Sequence, residues 1–271
     1  MKIIKYNLAL LDKRKMIYLV LIVLILFSLC DVLIVFEKMY CRVDFVENCL
    51  SGDYLFVLTY PFLRVAPLLI FGLPVLFNLP LSDATWTELQ QGNSTFLYTR
   101  MDYVKNIWVR YFLSVVIVFL LSCFCFLLNY LSFSLIFGNG NALTVFQGTA
   151  FLQENSDFFL DSIRKSNVVL YSILLICHIS LIYGLLAGIT YTLSFLFKSR
   201  LQIYFGSILF IIAFEIMKII VGLGNVSIIL QLQPFSSFMV EEALILYLFL
   251  FLIGIGMLCF FLFKKRDIIA S

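Results

Sequence analysis

The chain has 271 residues and a composition that a soluble domain of this size could not bury. Hydrophobic residues make up 63% of it and charged residues only 13%, whereas soluble domains carry roughly 25% charged residues. The formal net charge of +3 is too small to indicate nucleic-acid binding. The composition therefore excludes a soluble globular enzyme and predicts an integral membrane protein.

The N-terminal residues 1–15 predict a helix that lies in the membrane interface before the first span. Ile4, Leu8 and Leu11 recur at helical spacing, and Lys2 is placed to remain in water. This pattern is typical of an amphipathic helix in the headgroup layer. A disordered basic N-terminus is the alternative.

Six apolar segments follow, and a membrane crossing takes about 20 apolar residues. They are residues 16–36, 54–79, 111–137, 168–197, 201–221 and 243–263. Backbone polar groups in lipid must bond within their own segment, so each is predicted to be helical. The expected fold is an all-α integral membrane protein, with residues 16–271 forming a single domain of six transmembrane helices.

The Lys and Arg residues predict the orientation of the chain. If the N-terminus is inside, most of the 19 Lys and Arg residues fall in cytoplasmic segments, as the positive-inside rule requires. Both termini are therefore expected in the cytoplasm, and the chain is expected in the plasma membrane.

Cys41 and Cys49 lie in the short, acidic first outer loop. A disulfide is chemically permitted on that side of the membrane, and the sequence leaves open whether the two are bridged. The other five cysteines fall in spans and are interpreted as small packing residues.

The second segment is predicted to be irregular because it is rich in proline. Pro61, Pro67 and Pro74 each remove a backbone donor and are candidate hinge positions. Arg64 lies between the first two, at a depth where a charge is costly unless it is paired. Asp31, near the outer end of the first segment, is the candidate partner. The two residues form either a static ion pair or part of a substrate path.

The fourth segment carries Gly184 and Gly188 at a spacing that lets two helices approach closely. It also carries the one histidine of the chain, His178. A single histidine cannot form a usual metal site, so His178 is interpreted as a hydrogen-bonded packing residue, and no metal site is expected.

The fifth segment and the residues after it carry further polar groups. Glu215 and Lys218 are three residues apart on one helix face, where their charges can neutralise each other. Residues 222–240 are apolar but are interrupted by Gly, Pro, Asn and Gln. A re-entrant pair of short helices, shielded by neighbouring spans, is predicted there.

The connection between the second and third segments, residues 81–110, is polar and is the longest on the cytoplasmic side. It contains an acidic residue, a glycine and then a helical stretch with two basic residues, which are Glu88, Gly92, Arg100 and Arg110. A Pro-Phe pair also precedes the last segment, within Gln233-Pro234-Phe235-Ser236. With the six spans and the N-terminal helix, this layout resembles the permease subunits of type-two ATP-binding-cassette exporters, in the style of Gram-positive bacteria.

The resemblance implies a permease that pairs with a second copy or a paralogue and with cytoplasmic ATPase subunits. Residues 83–100 would form the coupling helix. The residues implied in ATPase coupling are Asp83, Glu88, Gly92, Arg100 and Arg110. ATP and Mg²⁺ would bind to the partner ATPases, because this chain has no phosphate-binding loop. No catalytic residue or cofactor is expected on the chain itself.

The implied activity is export of an amphipathic substrate such as a peptide, a lipid or a drug. The alternative is a non-transporting immunity or signalling subunit that binds an antimicrobial peptide. An intramembrane enzyme is a third reading, which the absence of paired catalytic or metal-binding residues in the sequence disfavours.

Overall fold

The computed structural model describes residues 2–12, 14–40, 57–58, 67–80, 82, 87, 102–137, 160–197, 199–222, 226–233 and 240–270. These residues are predominantly helical, and no β-strand occurs among them. The all-α prediction is therefore confirmed for this part of the chain.

Eleven helical elements follow one another in the described ranges. They are α1 (Lys2–Asp12), α2 (Lys15–Tyr40), a π-helix (Leu68–Gly72), α3 (Leu73–Asn78), α4 (Tyr103–Phe137), α5 (Asp161–Ser166), α6 (Val168–Leu193), α7 (Arg200–Tyr204), α8 (Gly206–Val221), α9 (Ile228–Leu232) and α10 (Val240–Ala270). Within the described residues, four helices (α2, α4, α6 and α10) are long and apolar enough to cross a membrane. They correspond to the first, third, fourth and sixth predicted segments.

The second and fifth predicted segments are not single long helices. After Pro67 the chain forms the π-helix and then α3, which has Pro74 in its first turn, so the predicted irregularity is present. In the fifth segment Phe205 separates α7 from α8. Backbone hydrogen bonds from Phe205 N to Leu201 O and from Leu209 N to Phe205 O nevertheless continue the helical path. Residues 200–221 together are about 33 Å long at the helical rise.

Side-chain contacts show that α2 and α4 run parallel. Asn129 contacts Asp31, and one turn or more further along each helix the ring of Phe137 lies 6.4 Å from that of Phe36. Because these two neighbouring helices point in the same direction, the chain that connects α2 to α4 has to cross the bundle once in the opposite direction.

The α6 helix packs closely on α4 and runs antiparallel to it. A Cβ atom on Gly184 would lie 2.8 Å from the carbonyl oxygen of Val115, and a Cβ atom on Gly188 would lie 3.0 Å from Cε2 of Tyr111. The close helix contact predicted from these two glycines is therefore confirmed. In the apolar stretch of α6, 56% of the residues are buried, whereas the share is 22% in the apolar stretch of α10. The α6 helix is therefore the central helix of the described bundle.

The π-helix and α3 run parallel to α6. The hydroxyl of Tyr183 donates a hydrogen bond of 2.6 Å to Leu69 O, and Asn78 Nδ2 donates one of 3.3 Å to Thr190 Oγ1 further along. This segment therefore runs opposite to α2 and α4.

The α10 helix also runs parallel to α6. His178 is hydrogen-bonded to Tyr247, and further along both helices Thr192 Oγ1 donates to Met257 Sδ at 4.0 Å. The chain must again return between these two helices.

The α8 helix makes that return. It begins beside the C-terminal part of α6, where a Cβ atom on Gly206 would lie 3.4 Å from Thr190 Cγ2. It ends at Gly222, which has φ +73°, a left-handed conformation that glycine adopts without steric cost. A few residues later the backbone of Gln231 lies beside His178, in the N-terminal half of α6.

The α1 helix confirms that residues 2–12 are helical, and one of its sides is buried against the bundle. Asn7 and Leu11 are buried, whereas Ile4 and Leu8 are each 46% exposed. The side chains of Ile4 and Leu8 therefore remain available to lipid, and the polar Asn7 faces the bundle.

Candidate functional site

Among the described residues, we consider three groups of polar side chains inside the helix bundle, where an unsatisfied polar group is costly. The N-terminal cluster consists of Asn7, Asn106 and Arg110. The Asp31 cluster consists of Ser28, Asp31 and Asn129. The α9 cluster consists of His178, Glu215, Lys218, Ser227, Gln231 and Tyr247.

The N-terminal cluster attaches α1 to the first turns of α4. Arg110 is only 3% exposed, and its Nε donates a hydrogen bond of 2.8 Å to Asn7 Oδ1. Asn7 Nδ2 in turn donates to Asn106 Oδ1 at 2.9 Å and to Ile3 O at 3.0 Å. The predicted coupling residue Arg110 is therefore a buried group that joins two helices.

The chain next to this cluster is held at two further points. Arg14 donates a hydrogen bond of 3.2 Å to the carbonyl oxygen of Pro80. Asp102, just before α4, forms an exposed ion pair of 3.1 Å with Lys105. The hydrogen bond from the Lys105 side chain lowers the pKa of Asp102 below its usual value. The ends of the polar connection thus lie close to α1 and to the base of α4.

The Asp31 cluster joins α2, α4 and the start of the second segment. Asn129 Nδ2 donates to Asp31 Oδ2 at 3.1 Å, and its Oδ1 accepts a hydrogen bond of 3.0 Å from Val57 N. Ser28 Oγ donates to Cys125 O at 3.2 Å. One buried amide, Asn129, therefore bridges three parts of the chain. Its position in a charge-free apolar helix was the only sequence signal for it.

The α9 cluster contains the ion pair expected in the fifth segment. Lys218 Nζ lies 3.0 Å from Glu215 Oε2, and both side chains are 16% exposed. The second carboxylate oxygen of Glu215 accepts hydrogen bonds from Ser227 Oγ at 2.8 Å and from Ile229 N at 3.1 Å. Ser227 also caps α9 by accepting from Leu230 N. Glu215 thus fixes the start of α9 against α8.

His178 and Tyr247 form the other side of the α9 cluster. His178 Nδ1 and the Tyr247 hydroxyl are hydrogen-bonded, and the His178 ring also lies beside the backbone of Gln231. His178 is only 4% exposed, in agreement with its interpretation as a hydrogen-bonded packing residue. Its partners could not be recognised from the sequence because they lie on two other helices.

Gln231 differs from its neighbours in having no partner for its side chain. It is 1% exposed, and neither Nε2 nor Oε1 is hydrogen-bonded within the part of the chain that the structure describes. Leaving a buried donor or acceptor unsatisfied costs about 1–3 kcal/mol. The sequence marked Gln231 only as one of the polar residues that interrupt the apolar residues 222–240.

Several predicted site residues lie outside the described residues: Asp83, Glu88, Gly92, Arg100, Arg64, Pro61, Cys41 and Cys49. The predicted pairing of Asp31 with Arg64 and the bridge between Cys41 and Cys49 therefore stay predictions. The hinge positions Pro67 and Pro74 flank the π-helix.

Within the described ranges, no three His, Cys, Asp or Glu side chains are grouped so that they could hold a metal ion. The five cysteines of those ranges are free thiols. No protein-family model, curated protein or solved structure matches this chain. Any assignment of function therefore has to come from the fold and the polar clusters.

Proposed function

We propose that the chain is the transmembrane permease subunit of an ATP-driven exporter of the type-two ATP-binding-cassette kind. The observation that carries the proposal is the attachment of α1 to the base of α4 through Arg110, next to the polar connection. A force applied to that connection would act on α4 directly and on α1 through a buried, hydrogen-bonded arginine.

The helix directions support six membrane crossings with both termini on one side. Each described segment reverses the previous one: α2, the π-helix with α3, α4, α6, α7 with α8, and α10. Residues 200–221 are long enough for a hydrocarbon core of about 30 Å. Residues 222–240 between the last two crossings are the proposed re-entrant region, and the structure describes 226–233 of its interior.

The proposed orientation puts the N-terminal cluster, Arg14 and Pro80 at the cytoplasmic face of the plasma membrane. The positive-inside bias of the sequence supports it. Large apolar side chains on the outer faces of α8 and α10, such as Ile219 at 75% exposed and Leu252 at 63%, suit contact with lipid or with a second permease copy.

The coupling step would be mechanical. The chain supplies no phosphate-binding loop, so cytoplasmic ATPase subunits holding ATP and Mg²⁺ would bind residues 83–100. Closure of the ATPases would then move this connection as a rigid body. Pro67 and Pro74, on either side of the π-helix, are the proposed hinge through which the second crossing would follow. The proposed substrate is an amphipathic molecule.

The test is purification of the tagged, full-length chain from its own cells after crosslinking, followed by measurement of ATP hydrolysis. We expect an ATPase with a phosphate-binding loop to be crosslinked to residues 83–100. The double variant Glu88→Ala with Arg100→Ala should lose the ATPase or its activity. A matched pair in the proposed outer loop, Glu154→Ala with Arg164→Ala, should keep both.

Two results would overturn the proposal. One is an unchanged ATPase activity in the double variant at normal expression. The other is isolation of the wild-type chain as a stable monomer without any ATPase, which would favour a non-transporting immunity or signalling subunit.

A further inference from the structure

The Gln231 side chain is an unexplained polar group in the α9 cluster. Around it, Glu215 is bonded to Lys218 and to α9, and His178 is bonded to Tyr247. The Gln231 carboxamide has two donors and one acceptor atom, and none of them has a hydrogen-bond partner among the residues described.

The backbone that carries Gln231 is held from two sides. Glu215 accepts the hydrogen bond from Ile229 N on one side, and the His178 ring lies beside the backbone of Gln231 on the other. Gln231 N also donates to Ser227 O at 3.2 Å. The surrounding residues thus fix where the amide lies, although nothing described binds it.

Packing does not account for the presence of a carboxamide at this position. Ile228 and Leu232, which flank Gln231 on α9, are fully buried apolar residues. A leucine or methionine would fill a similar volume without leaving buried polar atoms unsatisfied. A group that binds the amide at some stage of the protein's activity accounts for it.

We propose that the Gln231 carboxamide binds a peptide bond of the exported substrate, an inference that rests on the proposed transport function. A carboxamide offers a donor and an acceptor side by side, and a peptide group offers the matching acceptor and donor. The two can form a pair of hydrogen bonds. The hydrocarbon chain of a lipid offers neither group. A peptide presents this pair of groups at every residue along its length, and we assign the substrate class as a peptide on that ground.

Access to Gln231 requires a movement of segment 226–233. At 1% exposure the amide is enclosed, so a peptide reaches it only when the contacts to Glu215 and His178 loosen. The first contact is a hydrogen bond to Glu215 on α8, and the second is packing of α9 beside His178 on α6. A change in the spacing of those two helices would release the segment and open the amide to the substrate.

The test measures binding to the full-length protein in lipid nanodiscs with two fluorescent probes of the same shape. One is a capped, neutral hexapeptide of Ala and Leu, and the other is its ester analogue, in which oxygen replaces each backbone N–H. We expect the wild type to bind the peptide about ten-fold more tightly than the ester, the effect of one or two hydrogen bonds.

The variant Gln231→Leu should bind the peptide about ten-fold more weakly than the wild type and should no longer distinguish it from the ester. Gln231→Met, which is closer in shape, should do the same. The control Gln233→Leu, two residues along the chain, should keep the wild-type affinity and preference.

Both Gln231 variants should fold, because they remove buried polar atoms that lack partners. A thermal midpoint at or above that of the wild type checks this. Equal peptide binding by the wild type and the two variants, equal binding of the two probes, or no binding of the peptide by the wild type would overturn the inference. None of these measurements uses an ATPase, so the transport proposal can fail separately.

Discussion

Replacing Gly184 by Ala should destabilise the contact between α6 and α4. The added Cβ atom would lie 2.8 Å from the carbonyl oxygen of Val115 and 3.3 Å from Cβ of Phe119, whereas favourable contacts between heavy atoms lie near 3.5–4.0 Å. A carbonyl oxygen in a helix cannot rotate away. The two helices must therefore separate by roughly half an ångström, and overpacking of this kind typically costs about 1–3 kcal/mol.

The helix propensity of alanine works in the opposite direction. Ala is favoured over Gly in a helix interior by up to about 1 kcal/mol, so Gly184→Ala alone would understate the steric cost. Gly256 in α10 is the matched control because an added Cβ there would meet nothing within 4 Å. The difference in unfolding free energy between Gly184→Ala and Gly256→Ala should be about 1–3 kcal/mol, with Gly184→Ala the less stable.

Equilibrium unfolding in mixed micelles measures this difference. The labelling of Cys125, which is 1% exposed in the folded chain, by a thiol-reactive dye reports unfolding independently. If the two alanine variants unfold at the same denaturant concentration, the close approach of α6 and α4 at Gly184 is refuted.

Three further single substitutions test polar contacts inside the bundle. Glu215→Ala should cost about 3 kcal/mol, because it leaves Lys218, whose side chain is only 16% exposed, without its carboxylate. Glu215→Ala with Lys218→Ala should recover part of that loss; a double variant no better than the single one contradicts this. Tyr111→Phe should leave unfolding free energy unchanged or raise it, since the Tyr111 hydroxyl has no hydrogen-bond partner within the described ranges. Tyr183→Phe removes the hydrogen bond to Leu69 O and should lower the unfolding free energy by about 1 kcal/mol. Equal losses of unfolding free energy in Tyr111→Phe and Tyr183→Phe would contradict the difference in hydrogen bonding between the two hydroxyls.

Local sequence signals predicted the local features of this fold. The length of the apolar runs identified α2, α4, α6 and α10, since a helix has to satisfy its backbone within its own segment in lipid. The i, i+3 spacing of Glu215 and Lys218 predicted their ion pair, because both residues lie on one helix face. The prolines of the second segment predicted its irregular helix.

Contacts between distant parts of the chain could not be predicted in the same way. The pairing of Asn7 with Arg110 and that of His178 with Tyr247 depend on which helices become neighbours, and helical periodicity carries no information about that. The same limit applies to α1. The spacing of Ile4, Leu8 and Leu11 identified an apolar stripe, of which Ile4 and Leu8 are exposed, but it gave no indication that Asn7 would be buried against Arg110.

The position of α6 has a consequence for the order in which the protein can be assembled. The π-helix, α3, α4, α8 and α10 all pack against α6, yet α6 is preceded in the chain by three of these elements. As the chain leaves the ribosome, those earlier helices enter the lipid before their main neighbour exists. Tyr183 and Thr190, which bond to the second segment, arrive only with α6. The helices of the first half of the bundle therefore form their native contacts with α6 late in synthesis. Until then, their polar groups need other hydrogen-bond partners, which the insertion machinery or lipid headgroups can supply.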